Sequence, residues 1–111
     1  MINSIFWNIR GIRKKIACSR LKILKNQYNL NLIGICEPLI DASCIPEFKL
    51  KLGFSNCIDT DESNIWVFFD DNLSGKIFAQ SDQHLSILFS LQNNGGCFIG
   101  SLILASCSKG D

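Results

Sequence analysis

The sequence has no Cys-x-x-Cys pair, no long apolar run, no basic-then-apolar leader and no excess of either charge. Each absence removes a class of protein. Without paired Cys-x-x-Cys spacings, a structural zinc site is poorly supported. The longest apolar stretches, residues 85–91 and 98–105, are broken by Ser or Gly and are far too short to span a bilayer. The first residues, Met-Ile-Asn-Ser-Ile-Phe-Trp-Asn, do not resemble a secretory signal. An intracellular protein, nuclear or cytoplasmic and not secreted, is therefore expected, with no membrane partner. Cys18, Cys36, Cys44, Cys57, Cys97 and Cys107 make an even count, which would permit a disulfide framework. With no secretion signal, they are expected to be reduced and mostly buried, acting as small hydrophobes. The net charge of +1 provides no global basic field, so any nucleic-acid contact must rest on a local patch. No internal repeat, linker or low-complexity segment interrupts the chain.

What is present is an ordinary globular composition, 47% hydrophobic and 19% charged over 111 residues. That fits one domain or a piece of one. Residues 2–7 are apolar and β-prone and predict a strand, with a turn-prone exit over 8–11. Ala17, Leu21, Leu24 and Tyr28 form one stripe, which predicts an amphipathic helix over 13–28. The nearly continuous apolar run at 30–36 predicts a strand buried on both faces, closed by Pro38. Strand, helix, strand is a βαβ-like opening.

Beyond it, a short helix is expected around 46–50, leading to Gly53. Strands are expected over 54–58, 64–69, 76–80, 83–91 and 97–105, with a turn cluster at 70–75. In 83–91 the alternation is clean: Leu85, Ile87, Phe89 and Leu91 point one way, and Leu88 alone breaks the pattern. Asn93-Asn94-Gly95-Gly96 is a hairpin turn signal. The second half therefore reads as an antiparallel meander, and the fold class as α+β.

Two polar residues end apolar strands. Asn8 follows the first strand and Glu37 the second. If those strands are parallel neighbours, both side chains emerge at one carboxyl edge, where α/β sheets bind ligands. An amide and a carboxylate there can serve a hard cation and a phosphate oxygen, or simply cap turns. Arg10, Arg13, Lys14 and Lys15, with Arg20 beyond them, offer contacts to nucleic-acid phosphates, or a solvated helix face. Trp7, Trp66, Phe68 and Phe69 lie in apolar strands, where core packing is favoured over base stacking.

Phe6-Trp7-Asn8-Ile9-Arg10-Gly11-Ile12 resembles the Trp-Asn-x-x-Gly opening motif of the endonuclease/exonuclease/phosphatase superfamily. Leu32-Ile33-Gly34-Ile35-Cys36-Glu37-Pro38 resembles its second motif, apolar residues ending in Gln-Glu-Thr. The wording is most similar to the endonuclease domain of plant non-LTR (LINE-class) retrotransposons. Gly53-Phe54, residues 64–69, Gln83-His84-Leu85 and residues 104–108 agree in order.

The resemblance implies a partial α/β sandwich and a Mg²⁺-dependent phosphodiester hydrolase acting on DNA. It implies Glu37 as the metal ligand and Asn8 as the residue orienting that site and the scissile phosphate.

Cys36 stands where the family has Gln, and Pro38 where it often has Thr. The family's Gly-Asp-x-Asn and terminal Ser-Asp-His segments have no counterparts. Ser81-Asp82-Gln83-His84 is only faintly similar to the latter, and no catalytic role is carried to His84. The expectation is a single truncated domain over residues 1–111, inactive alone, with weak or absent Mg²⁺ binding. A sheet face left uncovered by a missing second sheet could lead to self-association. A non-catalytic interaction domain on a nuclease scaffold, and a phosphoesterase completed by another chain, stand as alternatives.

Overall fold

The computed structural model describes residues 2–60, 64–81, 84–92 and 95–103, without the side chains of Lys15, Leu102 and Ile103. Strand β1 (Ser4–Asn8) leads through a loop into helix α1 (Lys15–Tyr28), which returns the chain to β2 (Leu32–Cys36). β1 and β2 pair in parallel with Asn8 opposite Cys36. The expected βαβ opening is therefore present. The helix begins at Lys15, two residues later than its apolar stripe suggested, because Gly11–Lys14 form a turn closed by the Lys14 N–H on the Gly11 carbonyl. Asn29, at φ 50°, ends α1 in the left-handed conformation that Asn tolerates best after Gly.

A 3₁₀ turn (Ala42–Cys44) precedes α2 (Ile45–Leu52). Pro46 lies in its first turn, where no N–H is missed, and Gly53 ends it at φ 79°. β3 (Asn56–Thr60) and β4 (Ile65–Phe69) form an antiparallel pair, but they do not belong to the meander as expected. β4 inserts antiparallel beside β2, giving one mixed sheet in the order β1-β2-β4-β3. β5 (Leu73–Ser81), β6 (His84–Leu91) and β7 (Cys97–Ile103) form a separate antiparallel sheet in that order. The architecture is α+β, with two α-helices and two sheets among the described residues.

Every residue of β2 and β4 is buried, because both faces of the mixed sheet are covered. Ile33, Ile35, Trp66 and Phe68 meet Ala17 and Leu21 of α1 and Phe48 and Leu52 of α2. Leu32, Ile65, Val67 and Phe69 meet Leu85, Ile87 and Phe89 of β6 on the other side. The cover expected to be missing from the meander is thus supplied by the first sheet. The opposite face of the meander carries Leu88 opposite Ile99, which is 52% exposed.

The segment 70–75 corrects the expectation of a turn cluster. The chain turns at Asp71 and Asn72, and β5 already begins at Leu73, which is buried between the sheets. Gly75 serves packing there: a Cβ would lie 3.0 Å from the Phe89 ring. Phe54 also leaves its expected strand and stacks on Phe68, ring centroids 6.2 Å apart. Gly95, at φ 71°, turns the last hairpin, and the Leu91 N–H bonds the Gly96 carbonyl at 2.7 Å. Asn93, Asn94 and residues 104–105 of the expected strand lie outside the described residues.

Cys18, Cys36, Cys44, Cys57 and Cys97 are free thiols, as expected, but only Cys36 is buried outright and Cys97 is exposed. Cys107 lies outside the described residues. Among the described residues, no helix is long and apolar enough to cross a membrane.

Candidate functional site

The parallel register brings the ends of β1 and β2 to one edge, and the two polar residues meet there. The Asn8 Nδ2 donates to the Glu37 Oε2 at 3.1 Å. Past the strands the backbone ladder continues. Ile9 N–H bonds the Cys36 carbonyl, Gly11 N–H the Glu37 carbonyl at 2.9 Å, and Ile12 N–H the Pro38 carbonyl. On the opposite side, the Glu37 N–H bonds the Asn64 carbonyl at 3.0 Å. Glu37 is therefore clamped through both its backbone groups and its side chain, between the loop after β1 and the start of β4.

The backbone at this edge is strained. Arg10 (φ 50°), Glu37 (55°), Leu39 (61°) and Asn64 (54°) all occupy the left-handed region, where Cβ crowds the backbone. Among the described residues only one other non-glycine residue does so, Asn29 at the end of α1. Such positions persist when their surroundings hold them, and they concentrate at functional sites. Asn64 was not singled out from the sequence. Its signal was an Asn immediately before an apolar strand, a type that tolerates positive φ.

Cys36 does not share the site. It packs in the core between the sheets. Burial, and after it the charge of Glu37, pushes its thiol pKa up, so it is a neutral thiol there. Among the described residues, no three His, Cys, Asp or Glu side chains gather into a metal-binding group. The Asn8–Glu37 pair therefore amounts to one carboxylate with an orienting amide. Its chemistry suits a hard cation whose remaining shell is water and phosphate oxygen.

The basic residues separate. Arg10 is exposed on the strained loop, and Lys14 is exposed with its alkyl chain against Gly11. Lys15 starts α1, and its side chain lies outside the described residues. Arg13 turns to α2: it bonds the Cys44 Sγ at 3.2 Å, reaches Glu47 at 3.4 Å and lies 5.6 Å from the Phe48 ring centroid. The bond to Cys44, then the one to Glu47, raises its pKa further. Lys25 bonds the Gly53 carbonyl at 2.8 Å and so caps the end of α2.

Trp66, Phe68 and Phe69 are core residues, and Trp7 packs half-buried against the helix-side core. None of the first three is placed to stack on a base. His84 is half-buried at the start of β6, with Nε2 2.6 Å from the Ser86 Oγ, while Asp82 and Gln83 lie outside the described residues. No known family model matches the chain, and no curated protein matches it.

Proposed function

We propose that the chain is the part of a Mg²⁺-dependent phosphodiester hydrolase domain that carries the Asn8–Glu37 half of the metal centre. The domain is of the endonuclease/exonuclease/phosphatase type and of retroelement origin, its substrate is DNA, and this part does not hydrolyse DNA alone. One observation carries the reading: an amide and a carboxylate from two separate motifs, hydrogen-bonded at 3.1 Å on the shared carboxyl edge of parallel strands. The strained and doubly clamped backbone beneath Glu37 supports it.

Glu37 would hold the ion. Asn8 donates to one carboxylate oxygen, which leaves the other for the ion, and keeps its own carbonyl oxygen for water or a substrate hydrogen-bond donor. A bound Mg²⁺ there supplies positive charge to a phosphate oxygen. Gly11 and Asn64 fix the position of Glu37 through the main chain. With a single carboxylate, affinity is weak, and a hydrolytic unit lacking partners loses orders of magnitude in rate.

Completion by another polypeptide is favoured by one observation. β1, which carries Asn8, is an edge strand, and Phe6 on it is 47% exposed.

The test is Mg²⁺-dependent nicking of supercoiled plasmid by the purified chain, beside Glu37→Ala. The expected result is no nicking above background in either protein. Nicking that disappears in the variant would show that this chain is active alone.

A further inference from the structure

A second site lies between the helices. A half-open cleft of about 330 Å³ is lined by Arg13, Ser19, Lys22 and Lys51, over a floor of Ile12 and Phe48. We propose that this cleft binds a backbone phosphate of nucleic acid, away from Glu37. The inference rests on the reading of DNA as substrate and adds to it where the strand runs.

Three cations converge on the cleft, and one carboxylate, Glu47, opposes them at its α2 side. The local sum of Arg13, Lys22 and Lys51 against Glu47 is thus 3 − 1 = +2. Two of the cations are held in place. The Arg13 guanidinium and the Lys51 ammonium lie 5.6 and 5.0 Å from the Phe48 ring centroid, and Glu47 touches both. A positioned cation loses less freedom on binding than one splayed into water.

Arg13 makes two long contacts to Glu47, both 3.4 Å, and one to the Cys44 Sγ at 3.2 Å, which leaves two of its five donors for phosphate oxygens. Lys22 makes no ion pair among the described residues. Ser19, one turn before it on α1, adds a hydroxyl donor. The cleft also adjoins the candidate metal centre along the chain: Ile12 in its floor donates its N–H to the Pro38 carbonyl, next to Glu37.

The test is binding of a labelled DNA duplex to the full chain in EDTA, followed by fluorescence anisotropy across a salt series. Lys22→Gln/Lys51→Gln and Lys76→Gln are compared with the unaltered chain, each checked for fold by circular dichroism. Lys76 is exposed on β5 and controls for loss of charge elsewhere. The double variant is expected to bind roughly tenfold more weakly at about 0.1 M salt, with a salt slope shallower by about 2. Lys76→Gln should match the unaltered chain. Inorganic phosphate at matched ionic strength should not displace the DNA.

The proposal is overturned if the double variant binds like Lys76→Gln, or if the unaltered chain does not bind DNA. Full displacement by inorganic phosphate would overturn it in favour of a free-phosphate site. Because EDTA removes divalent cations, these outcomes stay readable whether or not Glu37 binds metal.

Discussion

The Asn8 amide holds the Glu37 carboxylate at 3.1 Å, on a residue whose backbone sits at φ 55°. Glycine is free in that region, whereas a side chain there costs about 1–2 kcal/mol. Glu37→Gly is expected to leave stability unchanged or raise it by up to about 1 kcal/mol, after loss of one exposed hydrogen bond. Urea denaturation measures this. A loss of stability well beyond that size would make Glu37 a structural residue.

The two sheets meet through Phe89. It is fully buried, stands edge-on to Phe69 at 5.4 Å and stacks on Phe98 at 5.2 Å. Truncation to Ala leaves a cavity that the close approach of Gly75 cannot fill. Phe89→Ala should cost about 3–5 kcal/mol, read as a lower urea midpoint. A cost below about 1 kcal/mol would mean that the sheets are not joined there.

Burial, and after it the charge of Asp59, pushes the Cys57 thiol from 9.0 up to about 12. Between those values the unfolded chain releases a proton that the folded chain keeps. The neutral thiol's contribution is whole below pH 9 and is lost as pH rises towards 12. Each pH unit in that window costs up to about 1.4 kcal/mol. Cys36, also raised, acts in the same direction. Cys57→Ala should flatten the alkaline fall in thermal midpoint, and an unchanged slope would remove Cys57 as its cause.

Lys25 joins the helices by its bond to the Gly53 carbonyl and by lying 4.6 Å from the Phe54 ring centroid. Lys25→Met keeps the aliphatic stem and loses the cap. It should cost about 1 kcal/mol in chemical denaturation. No change would return Lys25 to the solvated face of α1.

The opening half was legible because period and spacing speak directly there. The stripe through Ala17 and Leu21 and the run ending at Cys36 suggested strand, helix, strand, and a parallel pair, if formed, would bring Asn8 and Glu37 to one edge, as it does. Tyr28, expected on that stripe, is instead 55% exposed. The second half was less so. The run Ile65-Trp66-Val67-Phe68-Phe69 announces burial on both faces, but burial does not name the covering partner. β4 could therefore be read as meander when it inserts beside β2. Gly75 looked like a turn residue because its role, clearance for Phe89, depends on a residue fourteen positions away. At the candidate sites, Lys22 and Lys51 carry no local pattern that links α1 to α2. Only the packing of the helices brings them to one cleft.

The most direct test of the central claim is a Mg²⁺ titration of the ¹⁵N-labelled chain by NMR, beside Glu37→Gln. Amide shifts are expected at residues 8–12, 36–39 and 64, saturating only at roughly millimolar Mg²⁺ or above, as suits a single carboxylate. They should vanish in Glu37→Gln while the rest of the spectrum holds. Shifts that persist in the variant, or none in either protein, would contradict a metal half-site at Asn8 and Glu37.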